Sequence, residues 1–162
     1  MLKSKTLFII AAGQPDNKAP VMNEMKRPLS RFGVREVLTL LEDLKEYPIE
    51  LPELILCSPS LYVKQTLDLL HEVLDGIDVI YKDALYAAPD YRILDTVRAL
   101  DDIFASVMIV GELPGIQEFV SYVAKGKTLL RPATGVRLCL KKGESWHTLG
   151  AEKTSCRPLI KD

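Results

Sequence analysis

Four short apolar segments that alternate with amphipathic helical patterns constrain the fold of this chain more than any other feature. The segments are continuous runs rich in Ile, Leu and Val, at residues 6–10, 54–57, 78–81 and 107–111. Such runs are typical of parallel strands that are buried on both faces of a sheet, because a strand with one solvated face alternates apolar and polar residues. The sequence therefore predicts a central, mostly parallel sheet.

Four amphipathic helices are predicted around these strands. The first begins at Ser30, a good N-cap residue, and ends at residues 47–48; the second ends at residues 75–76. The third begins near Asp90, and the fourth starts at Pro114, a residue favoured in the first turn. The apolar positions that align these helices are, in order, Val34, Val37, Leu38, Leu41 and Leu44; Val63, Leu67, Leu70 and Leu74; Leu94, Val97 and Leu100; and Ile116, Phe119, Val120 and Val123.

The last part of the chain has a different pattern. Residues 135–149 alternate apolar and polar side chains around a Gly-Glu turn, which predicts an antiparallel hairpin at the edge of the sheet. The predicted fold class is therefore α/β, with three layers, a mostly parallel sheet, helices on both faces and an antiparallel edge hairpin. A length of 162 residues suits one domain over residues 1–162. Residues 14–28, with three prolines, are predicted to form a long loop.

Charge and composition argue against several classes of partner. The chain has 21 Lys and Arg residues and 22 Asp and Glu residues, a balance that does not favour binding to nucleic acid or to an anionic membrane. Without a signal-peptide pattern or a long apolar run, we expect a cytoplasmic protein. Three cysteines without a CxxC pair indicate reduced thiols, and no spacing of ligands indicates a metal site or another cofactor.

A ligand site is expected where the parallel strands end. In open α/β sheets, ligands bind at the carboxyl ends of the strands. The residues that follow the four predicted strands are 11–15, 57–62, 82–88 and 111–115.

Motifs at these strand ends resemble, in order and over nearly the whole chain, those of the SixA-type phosphohistidine phosphatases of the histidine phosphatase superfamily. KRPLSRFG (26–33) is similar to the family's Arg-Pro-Leu-Thr-x-x-Gly motif, and LILCSPSLYVKQT (54–66) to its Ser-Pro-x-x-Arg-Ala-x-Gln-Thr segment. ALYAA (84–88) is similar to its Leu-Tyr-x-Ala segment, and VGELPG (110–115) to its Gly-His-x-Pro-Gly segment. The resemblance implies a phosphoglycerate mutase-like fold.

The same resemblance implies a degenerate active site. The family's Arg-His motif, whose histidine accepts the phosphoryl group, matches Ala11 and Ala12; its second phosphate-binding Arg matches Tyr62, and its second histidine matches Glu112. Phosphoryl transfer is not expected, because these positions supply neither a nucleophile nor a cation. An ionised Glu112 would also repel a phosphate about 4 Å away by roughly 4 kcal/mol at an effective dielectric constant near 20.

Further residues are expected to line the same cleft. Arg27 matches the Arg of the family's Arg-Pro-Leu motif, and we expect it to form an ion pair with Glu112 in place of a phosphate. Lys64 is two residues from the lost Arg, an offset of about 200° on a helix, so it should face away. The remaining expected pocket residues are Gly13, Gln14, Ser58, Tyr86 and Leu113.

The other reactive side chains are interpreted as structural. His71 lies in the middle of a predicted helix, His147 lies beside Trp146 on the predicted hairpin, and Cys57 ends a buried strand without the Arg-closed loop that a phosphatase cysteine needs.

Three functions follow as hypotheses. The first is a catalytically inactive SixA-like homologue that acts as a binding or regulatory protein, with a phosphorelay protein or a small neutral ligand as its partner. The second is an active phosphatase that uses Arg27 with either His147 or a water held by Glu112, together with a cation or metal that holds the substrate. The third is a cleft for a neutral or cationic small molecule, in which Tyr62 and Tyr86 supply aromatic faces.

Overall fold

The chain forms one six-stranded sheet in the computed structural model, which describes residues 4–126 and 128–160. The strand order is β3-β2-β4-β1-β5-β6. The strands β1 to β4 are parallel to one another, whereas β5 is antiparallel to β1 and β6 is antiparallel to β5. The predicted α/β class with a mostly parallel sheet is confirmed. The strands are β1 (Thr6–Ala11), β2 (Leu54–Cys57), β3 (Asp78–Tyr81), β4 (Ser106–Gly111), β5 (Gly135–Leu140) and β6 (Thr154–Pro158).

The helices follow the predicted apolar periodicity closely. Ser30 caps the first helix, since its hydroxyl accepts a hydrogen bond of 2.9 Å from the Gly33 backbone N–H. The predicted second helix is interrupted at Leu70, which divides it into two. The helices are α1 (Arg31–Glu46), α2 (Leu61–Leu69), α3 (His71–Leu74), α4 (Asp90–Arg98) and α5 (Gly115–Val123).

Side chains from both faces of the sheet are buried, and they form two apolar clusters. On β1, Leu7 and Ile9 pack in the cluster with α4 and α5, whereas Phe8 and Ile10 pack in the cluster with α1 and α2. This alternation follows from the two-residue period of a strand. Each fully buried side chain of this size contributes roughly 1.5–3 kcal/mol, so the two layers hold the central strands and their ends firmly in place.

Two predictions of burial were wrong. The side chains of β3 were expected to be buried on both faces, but Val79, Ile80 and Tyr81 are 36%, 43% and 45% exposed because β3 lies at the edge of the sheet. On α1, Leu38 is 42% exposed and Leu40 is buried in its place. Amphipathic periodicity alone does not distinguish neighbouring positions at the border of a helix face.

The predicted antiparallel edge of the sheet is confirmed, but the second strand of its hairpin was wrongly placed within residues 135–149. The strand that pairs with β5 is β6, which lies further along the chain. Residues 145–149 instead form turns that bury Trp146 and Leu149 in the cluster of α4 and α5. His147 is therefore exposed on a turn and not on the sheet, and its Nδ1 lies 2.9 Å from the Arg98 carbonyl oxygen. The first half of the alternating pattern comes from β5, in which Val136, Leu138 and Leu140 are buried. Its second half comes from a turn that buries Trp146 and Leu149.

The predicted loop before α1 is present. Within residues 14–28, the regular structure consists of a 3-10 turn at Glu24–Lys26 and a bridge between Pro15 and Leu29. Among the described residues, no helix combines the length and the apolar composition that a membrane crossing requires.

Trp146 provides a test of the turns that residues 145–149 form in place of the predicted strand. Its ring is fully buried, and its indole N–H donates a hydrogen bond of 2.9 Å to the Phe104 carbonyl. Trp146→Ala is expected to lower the free energy of unfolding by roughly 3–5 kcal/mol, as measured by urea denaturation. The neighbouring His147→Ala serves as the control and should change it by no more than about 0.5 kcal/mol. Similar small effects for both variants would contradict the buried position of Trp146.

Candidate functional site

The candidate site lies where β2, β4 and β1 end side by side. Ala11 is paired with Gly111, and Cys57 with Val110, so the residues that follow the three strands are neighbours. The ladder continues one step beyond the strands, because the backbone N–H of Ala12 donates to the Gly111 carbonyl at 3.0 Å. The hydrogen bonds of the sheet therefore also fix the positions of the first residues after the strands.

The carboxylate of Glu112 is the centre of this site. Its Oε1 accepts hydrogen bonds from the Ser58 hydroxyl at 2.5 Å and from the Ala87 backbone N–H at 3.2 Å. Its Oε2 accepts a longer hydrogen bond, 3.4 Å, from the Tyr62 hydroxyl. One carboxylate therefore connects the end of β4 to the loop after β2, the start of α2 and the loop after β3. Hydrogen bonds to an ionised acceptor are about twice as strong as those between neutral groups.

The loop after β3 reaches Glu112 through an unusual backbone conformation. Ala87 has φ of +45°, which is in the left-handed region, and a non-glycine residue pays on the order of 1–3 kcal/mol for it. The adjacent Ala88 touches the start of α5 closely, because a Cβ on Gly115 would lie 1.8 Å from the Ala88 carbonyl oxygen. Gly115 thus permits an approach that any other residue would block.

The Tyr62 hydroxyl is held in its protonated form. Burial raises the pKa of Tyr62 well above its ordinary value, and the negative charge of Glu112 raises it further. The Tyr62 phenol is therefore a permanent hydrogen-bond donor to Glu112 at neutral pH. Tyr86 belongs to the same surroundings, since it also contributes to the raised pKa of Tyr62.

The two alanines at the end of β1 are part of the core. Ala11 is fully buried and Ala12 is 5% exposed, and the methyl group of Ala12 packs in the cluster of α1 and α2. The Ala11 N–H donates to the Thr134 carbonyl, and its carbonyl accepts from the Ala133 N–H. Neither residue presents a polar side-chain atom to the site.

The next two residues bind α1 and α2 rather than the site. Gly13 donates its N–H to the Thr66 hydroxyl at 3.2 Å. The Gln14 backbone lies so close to α1 that a Cβ on Gly33 would lie 2.2 Å from the Gln14 carbonyl oxygen. Both the backbone N–H and the side-chain amide of Gln14 donate to the carboxylate of Glu36. Gln14, expected to line the pocket, is engaged outside it.

The expected ion pair between Arg27 and Glu112 was wrong. The Arg27 guanidinium forms a bidentate pair with Glu24, with distances of 2.7 and 2.8 Å, and its remaining contacts are the carbonyl oxygens of Asp16 and Ala19. The hydrogen bond from Arg27 lowers the pKa of the Glu24 carboxyl. Glu24 is only three residues from Arg27 along the chain, so this pair forms locally, whereas a pair with Glu112 would need a contact between distant segments. The contacts of Arg27 therefore connect different parts of the loop of residues 14–28 to one another.

The other reactive side chains lie away from the Glu112 carboxylate or are inert. Burial raises the pKa of the Cys57 thiol to about 12, with a smaller contribution from the charge of Asp68, so the thiol stays protonated. The Lys64 ammonium lies 4.9 Å from the centre of the Tyr81 ring, on the side of β3. Leu113, which was expected to line the cleft, packs partly buried against the cluster of α4 and α5.

Both histidines of the chain lie toward the amino ends of the parallel strands, whereas Glu112 lies at their carboxyl ends. His71 begins α3, the short helix that returns the chain to the amino end of β3. His147 contacts the carbonyl of Arg98 at the end of α4, where the chain returns to the amino end of β4. Neither imidazole is among the hydrogen-bond partners of the Glu112 carboxylate.

Sequence reasoning missed the role of Ala87. It lies in one of the strand-end segments, but a left-handed conformation is usually indicated by glycine, and an alanine gives no such signal. Among the described residues, no group of three or more His, Cys, Asp or Glu side chains is placed to hold a metal ion.

Several solved structures share this architecture. A structure described as that of phosphohistidine phosphatase SixA from Nakamurella multipartitia has a TM-score of 0.78 at 19% identity, and the match covers 98% of this chain and 96% of that chain. The corresponding protein from Agrobacterium tumefaciens has a TM-score of 0.72 at 20% identity, covering 85% and 92%. The protein histidine phosphatase SixA complexed with tungstate has a TM-score of 0.71 at 20% identity, covering 91% and 97%.

The chain has the histidine phosphatase fold. The implied phosphoglycerate mutase-like architecture is thereby confirmed for the whole length that the matches cover. No protein-family model matches the sequence, and no curated protein matches it. In this histidine phosphatase fold, the carboxyl ends of β1, β2 and β4 hold Ala11, Ala12, Ser58 and Glu112.

The contact between Glu112 and Tyr62 predicts a measurable change in the pKa of the tyrosine. Glu112→Gln removes a negative charge that raises the pKa of Tyr62, so this pKa should fall while burial still keeps it above its ordinary value. It can be measured by NMR titration of the tyrosine ring carbons, with Tyr62→Phe to assign the signal. Glu118→Gln, on an exposed position of α5, is the control and should leave the pKa unchanged. An unchanged pKa in Glu112→Gln would contradict the contact.

Proposed function

We propose that this protein is a catalytically inactive homologue of the SixA-like histidine phosphatases, and that it acts as a binding or regulatory protein. The observation that carries the proposal is the position of Glu112, whose carboxylate takes the donors of Ser58, Tyr62 and Ala87 at the strand ends. An anion supplied by the chain itself occupies the polar groups that a bound phosphate would otherwise use.

The absence of a nucleophile supports the same conclusion. A covalent phosphoryl transfer needs a side chain that attacks phosphorus, and the end of β1 offers only the methyl groups of Ala11 and Ala12. The thiol of Cys57 is buried and protonated at neutral pH. The two histidines lie toward the amino ends of the parallel strands, away from the site.

The electrostatics of the site also oppose phosphate binding. Phosphoryl transfer depends on cations directed at the phosphate oxygens, but the Arg27 guanidinium is already paired with Glu24. A phosphate placed about 4 Å from the Glu112 carboxylate would be repelled by roughly 4 kcal/mol at an effective dielectric constant near 20.

The alternative of an active phosphatase with rearranged residues is less well supported. The position of His147 does not support it, because this residue lies on a turn beside the end of α4. A water held by Glu112 would be limited to the acceptor capacity that remains beside the three hydrogen bonds its carboxylate already accepts.

The site suits a partner that carries no phosphate at the point of contact. Glu112 supplies a negative charge, and Tyr62 and Tyr86 supply aromatic side chains, a combination that favours a neutral or cationic group. We propose that the partner is either a phosphorelay protein, bound without being dephosphorylated, or a small neutral molecule.

Turnover of a generic phosphomonoester and of a phosphohistidine protein tests the proposal directly. The unmodified chain is expected to hydrolyse neither substrate above the uncatalysed rate. A variant with the family residues, Ala11→Arg, Ala12→His, Tyr62→Arg and Glu112→His, is expected to exceed it by at least about a hundredfold once circular dichroism has shown that it folds.

Binding of tungstate gives an independent readout that does not need catalysis. Isothermal titration should detect no binding to the unmodified chain, because the Glu112 carboxylate repels the oxyanion. Hydrolysis by the unmodified chain that is lost in Arg27→Ala or Glu112→Ala, or tungstate binding that is lost in Arg27→Ala, would overturn the proposal.

A further inference from the structure

Two arginines lie directly opposite each other on the antiparallel part of the sheet. Arg137 of β5 pairs with Arg157 of β6 on one side and with Phe8 of β1 on the other. Residues paired across strands point to the same face, and Phe8 packs in the cluster of α1 and α2, so both arginine side chains lie on the α1 face of the sheet. Like charges in this arrangement destabilise strand pairing. An anion between the two guanidinium groups would remove the repulsion.

The chain itself supplies little of that negative charge. A carboxylate oxygen of Glu50 lies 3.9 Å from Arg137 Nη2, well beyond the roughly 2.7–2.9 Å of a charge-assisted hydrogen bond. Within the part of the chain that the structure describes, Arg157 forms no ion pair. Both arginines are exposed. Their guanidinium donors are therefore accessible to a ligand.

The two arginines line a groove between β6 and the end of α1. Its volume of about 450 Å³ lies in the range of small-molecule sites, roughly 300–1,000 Å³. Much of the remaining lining is apolar, so the groove has room for an apolar group beside the arginines. The apolar and aromatic residues of the lining are Phe8, Tyr47, Pro48, Ile49, Pro158 and Leu159.

The same groove also contains negative charge. Its lining includes Glu46 and Glu50, and Glu46 is the last residue of α1, where the helix dipole and the free carbonyl groups favour a cation. The two glutamates balance the two arginines, so the lining has no net charge. A dianion such as phosphate would be opposed by both carboxylates. The groove is instead complementary to a ligand that carries one charge of each sign.

We propose that this groove binds a free amino acid with an apolar side chain. The guanidinium groups of Arg137 and Arg157 hold its α-carboxylate, the carboxylates of Glu46 and Glu50 hold its α-ammonium, and the apolar lining holds its side chain. The separation of 3.9 Å between Arg137 and Glu50 places opposite charges side by side, as the two charged groups on one α-carbon require.

The proposed ligand uses every kind of group in the lining. A residue within a peptide would offer neither charge, and a simple carboxylate would leave the glutamates without a partner. The groove lies beside the C-terminal end of α1, whereas Glu112 follows the carboxyl end of β4. The proposal is therefore independent of the function proposed for the strand ends.

Isothermal titration with L-leucine, L-methionine and L-phenylalanine tests the proposal. At least one of them should bind the unmodified chain with a Kd below about 1 mM. Three relatives of that amino acid separate the contacts: the N-acetyl derivative lacks the ammonium, the carboxamide lacks the carboxylate, and glycine lacks the side chain. Each should bind at least about tenfold more weakly, because each loses a charged or an apolar contact.

Substitutions in the groove locate the binding. Arg157→Gln and Glu50→Gln should each weaken binding at least about tenfold, and both positions are exposed, so folding should be preserved. Arg92→Gln makes the same charge change as Arg157→Gln at an exposed position of α4, which packs on the opposite face of the sheet. This control should leave binding unchanged.

Three results would overturn the proposal. The first is that none of the three amino acids binds at concentrations up to about 10 mM. The second is an N-acetyl derivative that binds as tightly as the free amino acid, because the ligand would then not need its ammonium group. The third is binding that persists in Arg157→Gln and is lost in Glu112→Gln, because the ligand would then occupy the strand ends.

Discussion

The hydrogen bonds of the Glu112 carboxylate are the interaction on which the arrangement of the strand ends depends. They join the loops after β2, β3 and β4 at a single pair of oxygen atoms. The Ser58 hydroxyl is fully buried, and a buried donor without a partner costs about 1–3 kcal/mol. Glu112 is therefore a structural part of the site, and a ligand would have to displace it in order to use the same donors.

The residues at the four positions that the sequence resemblance matches to the family's catalytic residues form a mutually consistent set. Two are methyl groups that are buried with the core, and the other two, Tyr62 and Glu112, share a hydrogen bond. A histidine in place of Ala12 alone would place a polar ring among the side chains of α1 and α2. The effects of changing such neighbours do not add, which is why the four positions belong together in any attempt to recover the family chemistry.

The sequence predicted the parts of this fold that depend on local pattern. The buried runs of β1, β2 and β4 were placed within a residue or two, and Ser30 caps α1 as its position before the helix indicated. The end of β3 was also placed correctly, although its exposure was not. Whether a strand lies at the centre or at the edge depends on the strand order, and short apolar runs carry no information about that order.

What the sequence determined by itself was the identity of the side chains at the strand ends, where Ala11 and Ala12 supply neither a nucleophile nor a cation. What only the tertiary structure decided was which groups became partners. Arg27 pairs with the nearby Glu24, Glu112 accepts hydrogen bonds from two loops and the start of α2, and Trp146 is buried in the core from a turn. The physical reason is that polar and apolar groups are satisfied by whichever partner the folded chain brings within a few ångströms, and separation along the sequence does not measure that distance.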